Sequence, residues 1–251
     1  YGLIDEVRIY NRALSESEIQ DLYEGKDVGG GRVLCLRMDE GEGSTVYSDN
    51  WCDGKYGKAS SFDGVDDYVA CGNPPSLNPV DEITVALWVK LLEYPTEWFM
   101  PLVKGGGGAK GYRIGYNFNT KKVYFEVYTT SSAAVYADSF GVLSTNTWYF
   151  IVGTYKDGEL AIYVNTVKDS ITKTGSLDTG TASVYIGSAA GVANRGKAII
   201  DEVRIYNRAL SPEEIQHLYQ YGYLENETGL VLYLPFHDGE AVDYSPYGND
   251  G

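Results

Sequence analysis

Residues 200–219 read IDEVRIYNRALSPEEIQHLY, and residues 4–23 read IDEVRIYNRALSESEIQDLY. The two copies differ only at Glu16/Pro212, Ser17/Glu213 and Asp21/His217. So close a recurrence at so long a separation marks an internal repeat, which has to be settled before any local reading. Within the block, Asp201 to Asn207 alternates. Val203 and Ile205 fall on one face and Glu202, Arg204 and Tyr206 on the other, the pattern of a half-buried strand. Ser211-Pro212-Glu213-Glu214-Ile215 then has the form of a helix start. Ser211 is the N-cap, Pro212 takes the first helical position, Glu214 closes a capping box, and Leu210 and Ile215 are spaced for a hydrophobic staple. Ile215, Leu218 and Tyr219 make a short apolar stripe. The block therefore reads strand, turn, short capped helix.

A second echo defines the repeat unit. Residues 31–36 (GRVLCL) and 229–234 (GLVLYL) open similar segments, followed by Asp39-Glu40-Gly41-Glu42 and His237-Asp238-Gly239-Glu240. The expected organisation is the C-terminal part of a preceding repeat at 1–27, one complete domain at 28–222, and the N-terminal part of a following repeat at 223–251. The chain then reads as a window on a tandem array. Glu24 to Gly31 (EGKDVGGG) is a Gly-rich linker about which neighbouring repeats would pivot unless their surfaces pack.

Composition narrows the class. Tyr (23) and Gly (30) are abundant and Met (2) is rare, which with Val, Ile and Thr favours an all-β domain rich in tight turns. A net charge of −15 argues against nucleic acid and anionic membranes, and is compatible with divalent cations and neutral glycans. It also serves simply to keep a β-protein soluble. No apolar run reaches the roughly 20 residues of a spanning helix, so membrane insertion is not expected. Cys35, Cys52 and Cys71 have no metal-site spacing; one disulfide with a spare thiol and three free thiols both stay open.

In chain order, Val33 to Met38 is the first strand. Ala59 to Cys71 forms two strand pieces around an Asp-Gly-Val-Asp-Asp corner, in which Gly64 supplies a positive φ and Asp66 or Asp67 bonds the turn. Ile83 to Leu91, Trp98 to Val103, Tyr112 to Tyr116 and Val123 to Thr129 follow as strands. Trp148 to Tyr155 and Leu160 to Asn165 flank a hairpin turn at Lys156-Asp157-Gly158-Glu159. Val184 to Gly187 and Ala198 to Tyr206 close the domain. About a dozen short strands with one terminal helix imply an antiparallel jelly-roll β-sandwich.

Four segments carry a resemblance: SFDGVDDYV (61–69), ITVALWVK (83–90), WYFIVGTYKDGELAIYVNT (148–166) and IDEVRIYNRALSPEEI (200–215). In order and spacing they resemble the laminin G-like, concanavalin A-like jelly-roll domains of microbial surface proteins. The resemblance implies two antiparallel sheets, usually no catalysis, often bound calcium, and use in glycan binding, adhesion or spacing. It also implies that the first and last strands lie side by side, with a structural calcium near where they meet.

Asp201 is the most informative polar residue. By alternation it shares the core face with Val203 and Ile205, and a buried carboxylate needs a compensating partner. Calcium is one answer, with Asp63, Asp39 and Glu40 as further hard oxygen ligands. The alternative is that Asp201 caps backbone amides at a strand end. Among the aromatics, Trp88 and Trp148 belong to the core. Trp51, Tyr94, Trp98, Tyr112 and Tyr136 lie in or beside loops and are candidate sugar-stacking rings, with Asn194 and Arg195 adding hydrogen bonds; with so many Tyr, some exposure arises by chance. Catalysis has little support: His217 and His237 have no nucleophile elbow nearby, and no Glu-x-Asp-x-x-Glu run occurs. Asn226-Glu227-Thr228 is a glycosylation sequon. The expectation is an extracellular, non-catalytic carbohydrate-binding or adhesion module, supported by calcium, in a tandem-repeat surface protein. The second reading is a spacer or filament repeat whose partners are neighbouring copies of itself.

Overall fold

A computed structural model describes residues 7–10, 13–23, 32–36, 46–47, 51–105, 110–130, 132–139, 141–172, 174–189, 193–236 and 240–250. Asp39 and Glu40 lie outside them. The strands are β1 (Val7–Tyr10), β2 (Arg32–Leu36), β3 (Val46–Tyr47), β4 (Trp51–Asp53), β5 (Lys58–Asp63), β6 (Tyr68–Ala70), β7 (Ile83–Leu91), β8 (Phe99–Lys104) and β9 (Tyr112–Asn117). They continue as β10 (Lys122–Thr129), β11 (Ser132–Asp138), β12 (Trp148–Lys156), β13 (Glu159–Val164), β14 (Val167–Thr172), β15 (Val184–Ile186), β16 (Lys197–Tyr206) and β17 (Leu230–Leu234). Helices α1 (Glu16–Tyr23) and α2 (Pro212–Tyr221) follow β1 and β16.

Two antiparallel sheets face each other. One runs β11-β10-β9-β8-β15-β6-β3; the other runs β14-β13-β12-β7-β16-β5-β4, with β17 also paired to β16. The alternation read from sequence fills the space between them: Val123, Phe125 and Val127 of β10 meet Val85, Leu87 and Val89 of β7 in one apolar core. The sheets approach so closely that a Cβ at Gly153 would lie 2.2 Å from the Phe125 ring. The fold is the expected antiparallel jelly-roll sandwich. The β12–β13 hairpin closes through Asp157 and Gly158, both at positive φ, as a two-residue turn requires.

A second apolar layer lies on the outer side of the β16-containing sheet. Helix α2 packs Ile215 and Leu218 there, beside Leu210, and Tyr219 stacks on Trp88 at 5.5 Å. Ser211 caps the helix through a complete capping box with Glu214, and Gly222 ends it in the left-handed conformation. Trp88 is thus buried beneath the helix, not between the sheets.

Strand β16 does not keep the simple alternation expected of it. Ile200 and Val203 both enter the inter-sheet core, because a register shift separates Asp201 from Arg204 in the ladder with β7. Glu202 sits in this bulge at φ 54. Asp201 therefore pairs with Trp88 and leaves the face on which Val203 and Ile205 stand. The expectation that the three share a face is corrected by this one extra residue.

The edge of β16 is divided. Lys197 to Ile200 pair with β5, while Val203 to Tyr206 pair with β17. Val231, Leu232, Leu234, Phe236 and Ala241 join the inter-sheet core, so packing runs continuously past the sequence position 222/223. Separately, β1 and β2 form a two-stranded sheet.

Candidate functional site

The outer face of the β11-to-β3 sheet carries a row of rings. In β10, parity places Tyr124, Glu126 and Tyr128 opposite the core-facing Val123, Phe125 and Val127. Tyr136 of β11 meets Tyr124 at 6.0 Å, Tyr124 meets Trp98 at 5.6 Å, and Trp98 meets Phe118 at 6.4 Å, all edge to face. The Tyr124 ring lies across Gly115 of β9, where a Cβ would come within 2.2 Å of it. Tyr124 and Val103 pack with Met100 and Ala189, and Tyr185 extends the apolar strip. Tyr136 is 57 % exposed and Trp98 39 %.

Polar groups interrupt the strip. Arg113 and Glu126 form a largely buried ion pair at 2.9 Å, and the Arg113 guanidinium lies 5.5 Å from the Tyr128 ring centre. Burial raises the Glu126 pKa, with Arg113 pulling it back. Asn194, at φ 56, ties the loop before β16 to β8, its carbonyl accepting the Met100 N–H at 3.0 Å. Exposed rings with a few fixed polar groups beside them can stack a sugar ring and bond its hydroxyls.

Among the predicted ligand residues, Trp98 and Tyr136 are brought together through Tyr124, and Asn194 meets β8 through its backbone carbonyl. Tyr94 stands apart, 42 % exposed, with Lys121 Nζ 4.0 Å above its ring. Tyr112 is a correction. It alternates with Ile114 and Tyr116 into the inter-sheet core, and its hydroxyl donates to the Leu77 carbonyl at 3.1 Å. Trp51 likewise packs toward the core, 5.9 Å from Phe236. Tyr124 was missed, although the parity of VYFEVYT places two rings and a carboxylate on one face.

The acidic residues separate into two places. Asp201 Oδ2 accepts the Lys55 and Tyr56 N–H groups at 2.7 and 3.1 Å, and Oδ1 accepts its neighbour's at 2.8 Å. A Cβ at Gly54 would meet Oδ2 at 2.5 Å. Both oxygens thus face N–H donors, and Asp201 clamps the Gly54–Tyr56 turn onto β16 in the manner of an amide cap. Asp63 is opposite Lys197, four residues away along the strand. The structure does not bring it to Asp201. Instead the carboxylate oxygens of Asp63, Asp66 and Asp67 lie within 4.8 Å of one another. There Asp67 accepts the Asp63 N–H at 2.8 Å, Asp63 accepts the Val65 N–H at 2.6 Å, and Gly64 holds φ 81. As a donor set for calcium, three converging carboxylates fit; a carboxylate enclosed by amides does not.

The family model described as the Concanavalin A-like lectin/glucanases superfamily, of laminin G type, matches residues 63–216. No curated protein matches the sequence. Among solved structures, the binding domain of Paraclostridial Mosquitocidal Protein 1 is similar over 74 % of this chain and 49 % of its own, with TM-score 0.58 and 14 % identity. Domain 4 of AbnA, a GH43 extracellular arabinanase from Geobacillus stearothermophilus, was solved in complex with arabinotriose. It is similar over 73 % of this chain and 84 % of its own, with TM-score 0.52 and 23 % identity. The ligand binding domain of botulinum neurotoxin serotype D was solved with N-acetylneuraminic acid. It is similar over 74 % of this chain and 48 % of its own, with TM-score 0.56 and 14 % identity. This chain thus spans about half the length of the mosquitocidal and neurotoxin chains. At these identities the likeness is one of fold.

Proposed function

We propose that this chain, which belongs to the concanavalin A-like lectin/glucanase superfamily, is a non-catalytic carbohydrate-binding module of an extracellular or cell-surface adhesion protein. The observation that carries the reading is the Tyr136–Tyr124–Trp98 row on the outer face of the β11-to-β3 sheet, with its outer rings open to solvent. Exposed rings in a row are costly to leave in water and suit the C–H faces of sugars. To the hydroxyls of a stacked sugar we assign Arg113 and Glu126, paired on the same face beside Tyr128, and Asn194, whose loop is bonded to β8. Two fold neighbours were solved with carbohydrate, which supports glycan as the ligand class. Glu126 is paired to Arg113, a positioning arrangement and not the opposed carboxylates of sugar hydrolysis.

Calcium enters this reading at the Asp63–Asp67 corner, where it would brace the turn between β5 and β6 and not touch the sugar. The test is a glycan-array screen of the full chain in calcium and in chelator. The expected result is selective binding that Trp98→Ala or Tyr136→Ala weakens at least about tenfold, the loss of one stacked ring. Absence of binding to any glycan by folded protein in both conditions overturns the reading.

A further inference from the structure

The two strand–helix–linker–strand units pair their strands in the same register. Val203, Arg204, Ile205 and Tyr206 face Leu234, Tyr233, Leu232 and Leu230. Val7, Arg8, Ile9 and Tyr10 face Leu36, Cys35, Leu34 and Arg32. Both ladders shift at the same step, between the Ile and the Tyr. Each opening strand is therefore joined to the closing strand that precedes it in the chain. The sandwich consequently contains β17 and not β2, although β2 is the opening strand that its own sequence supplies.

The chemistry of the β16 edge accounts for this choice. Arg204 is buried, ion-paired to the equally buried Glu202 at 2.8 Å, and donates to the Gly222 carbonyl at 2.7 Å. Tyr233 of β17 closes the site: its ring centre lies 4.0 Å from the guanidinium carbon, and its hydroxyl donates to Glu202 at 3.1 Å. Leu230 fills the apolar layer under α2. At the corresponding positions β2 has Cys35 and Arg32. Cys35 has no ring to cover a desolvated cation, and Arg32 would put a second charge into an apolar site. Residues 240–250 then lock the segment. Asp243 accepts the Tyr233, Ser245 and Asn249 N–H groups, and Asn249 Nδ2 donates to the Val231 carbonyl at 2.7 Å.

We infer that the second half of β16 is an acceptor edge for the opening segment of the following repeat, selected by a Tyr opposite Arg204. Each sandwich is completed by the chain that comes after it, and successive repeats share a strand. This inference is independent of sugar binding.

Hydrogen exchange on the intact chain tests it. The amides of Val231–Leu234 should exchange as slowly as those of β7 and β12. Those of Val33–Leu36, in a two-stranded sheet, should exchange faster by about two orders of magnitude. The reverse order overturns the inference. In the triple variant Arg32→Leu/Cys35→Tyr/Tyr233→Cys, protection should move to Val33–Leu36. Protection that stays at Val231–Leu234 overturns selection by the tyrosine.

Discussion

Asp201 shows what one buried carboxylate does when backbone amides surround it. Burial pushes its pKa up to about 7, with the Tyr56 N–H pulling down and the Glu202 carboxylate pushing up. The folded protein holds this proton to higher pH than the unfolded chain, whose reference value is 3.8. The resulting stabilisation is full below about pH 4 and is lost as pH rises through about 7. Asp201→Asn cannot titrate and loses an acceptor oxygen, a cost of about 1–3 kcal/mol. Urea unfolding should find the stability advantage of wild type over this variant smaller at pH 8 than at pH 5. An advantage that does not change with pH would assign the proton elsewhere. At the other acidic site, millimolar calcium should raise the Tm of the wild type, and Asp66→Asn, an exposed change, should abolish the rise. An identical Tm with calcium and with chelator would remove the ion from the corner.

At the scale of the element, glycine and caps set the margins. Ser211→Ala removes the capping box from α2 and should cost about 1 kcal/mol in thermal or urea unfolding. Gly115→Ala drives a methyl group into the Tyr124 ring; sugar affinity should fall by more than stability does, because that ring lies outside the inter-sheet core. Most of these elements were readable in the sequence. Helix α2 announced itself through Ser211, Pro212 and Glu214, and the β12–β13 turn through Asp157-Gly158. The outer aromatic face was also latent in the parity of β9 and β10: the same alternation that sends Tyr112 with Ile114 between the sheets turns Tyr124, opposite Phe125, to the outer face, where Trp98 and Tyr136 flank it. What could not be read was the bulge at Glu202. Nothing in Ile199-Ile200-Asp201-Glu202-Val203 says that one residue will be skipped in the ladder, yet that skip reverses the side of the sheet on which Asp201 falls. Long-range pairing, not local propensity, decides such a step.

At the scale of the whole molecule, each copy of the repeated block pairs with the strand that follows it, in the same register. A sandwich whose last edge strand comes from beyond its terminal helix buries Val231, Leu232, Leu234 and Phe236 from that segment. Phe236→Ala should therefore destabilise the sandwich by about 3–5 kcal/mol, as for any buried ring in its core. A loss below about 1 kcal/mol would mean that the segment merely rests on the surface.

The Asp243–Asn249 cage also has a mechanical consequence. Asn249 is tied to Ser76 and to the Val231 carbonyl, and Asp243 to Tyr233. A force applied at residue 250 would reach this knot first and then pull β17 lengthwise along β16, loading the ladder bonds together. Under the inferred sharing of strands, a pull at the joint between copies would be met by a strand ladder and not by a bare linker.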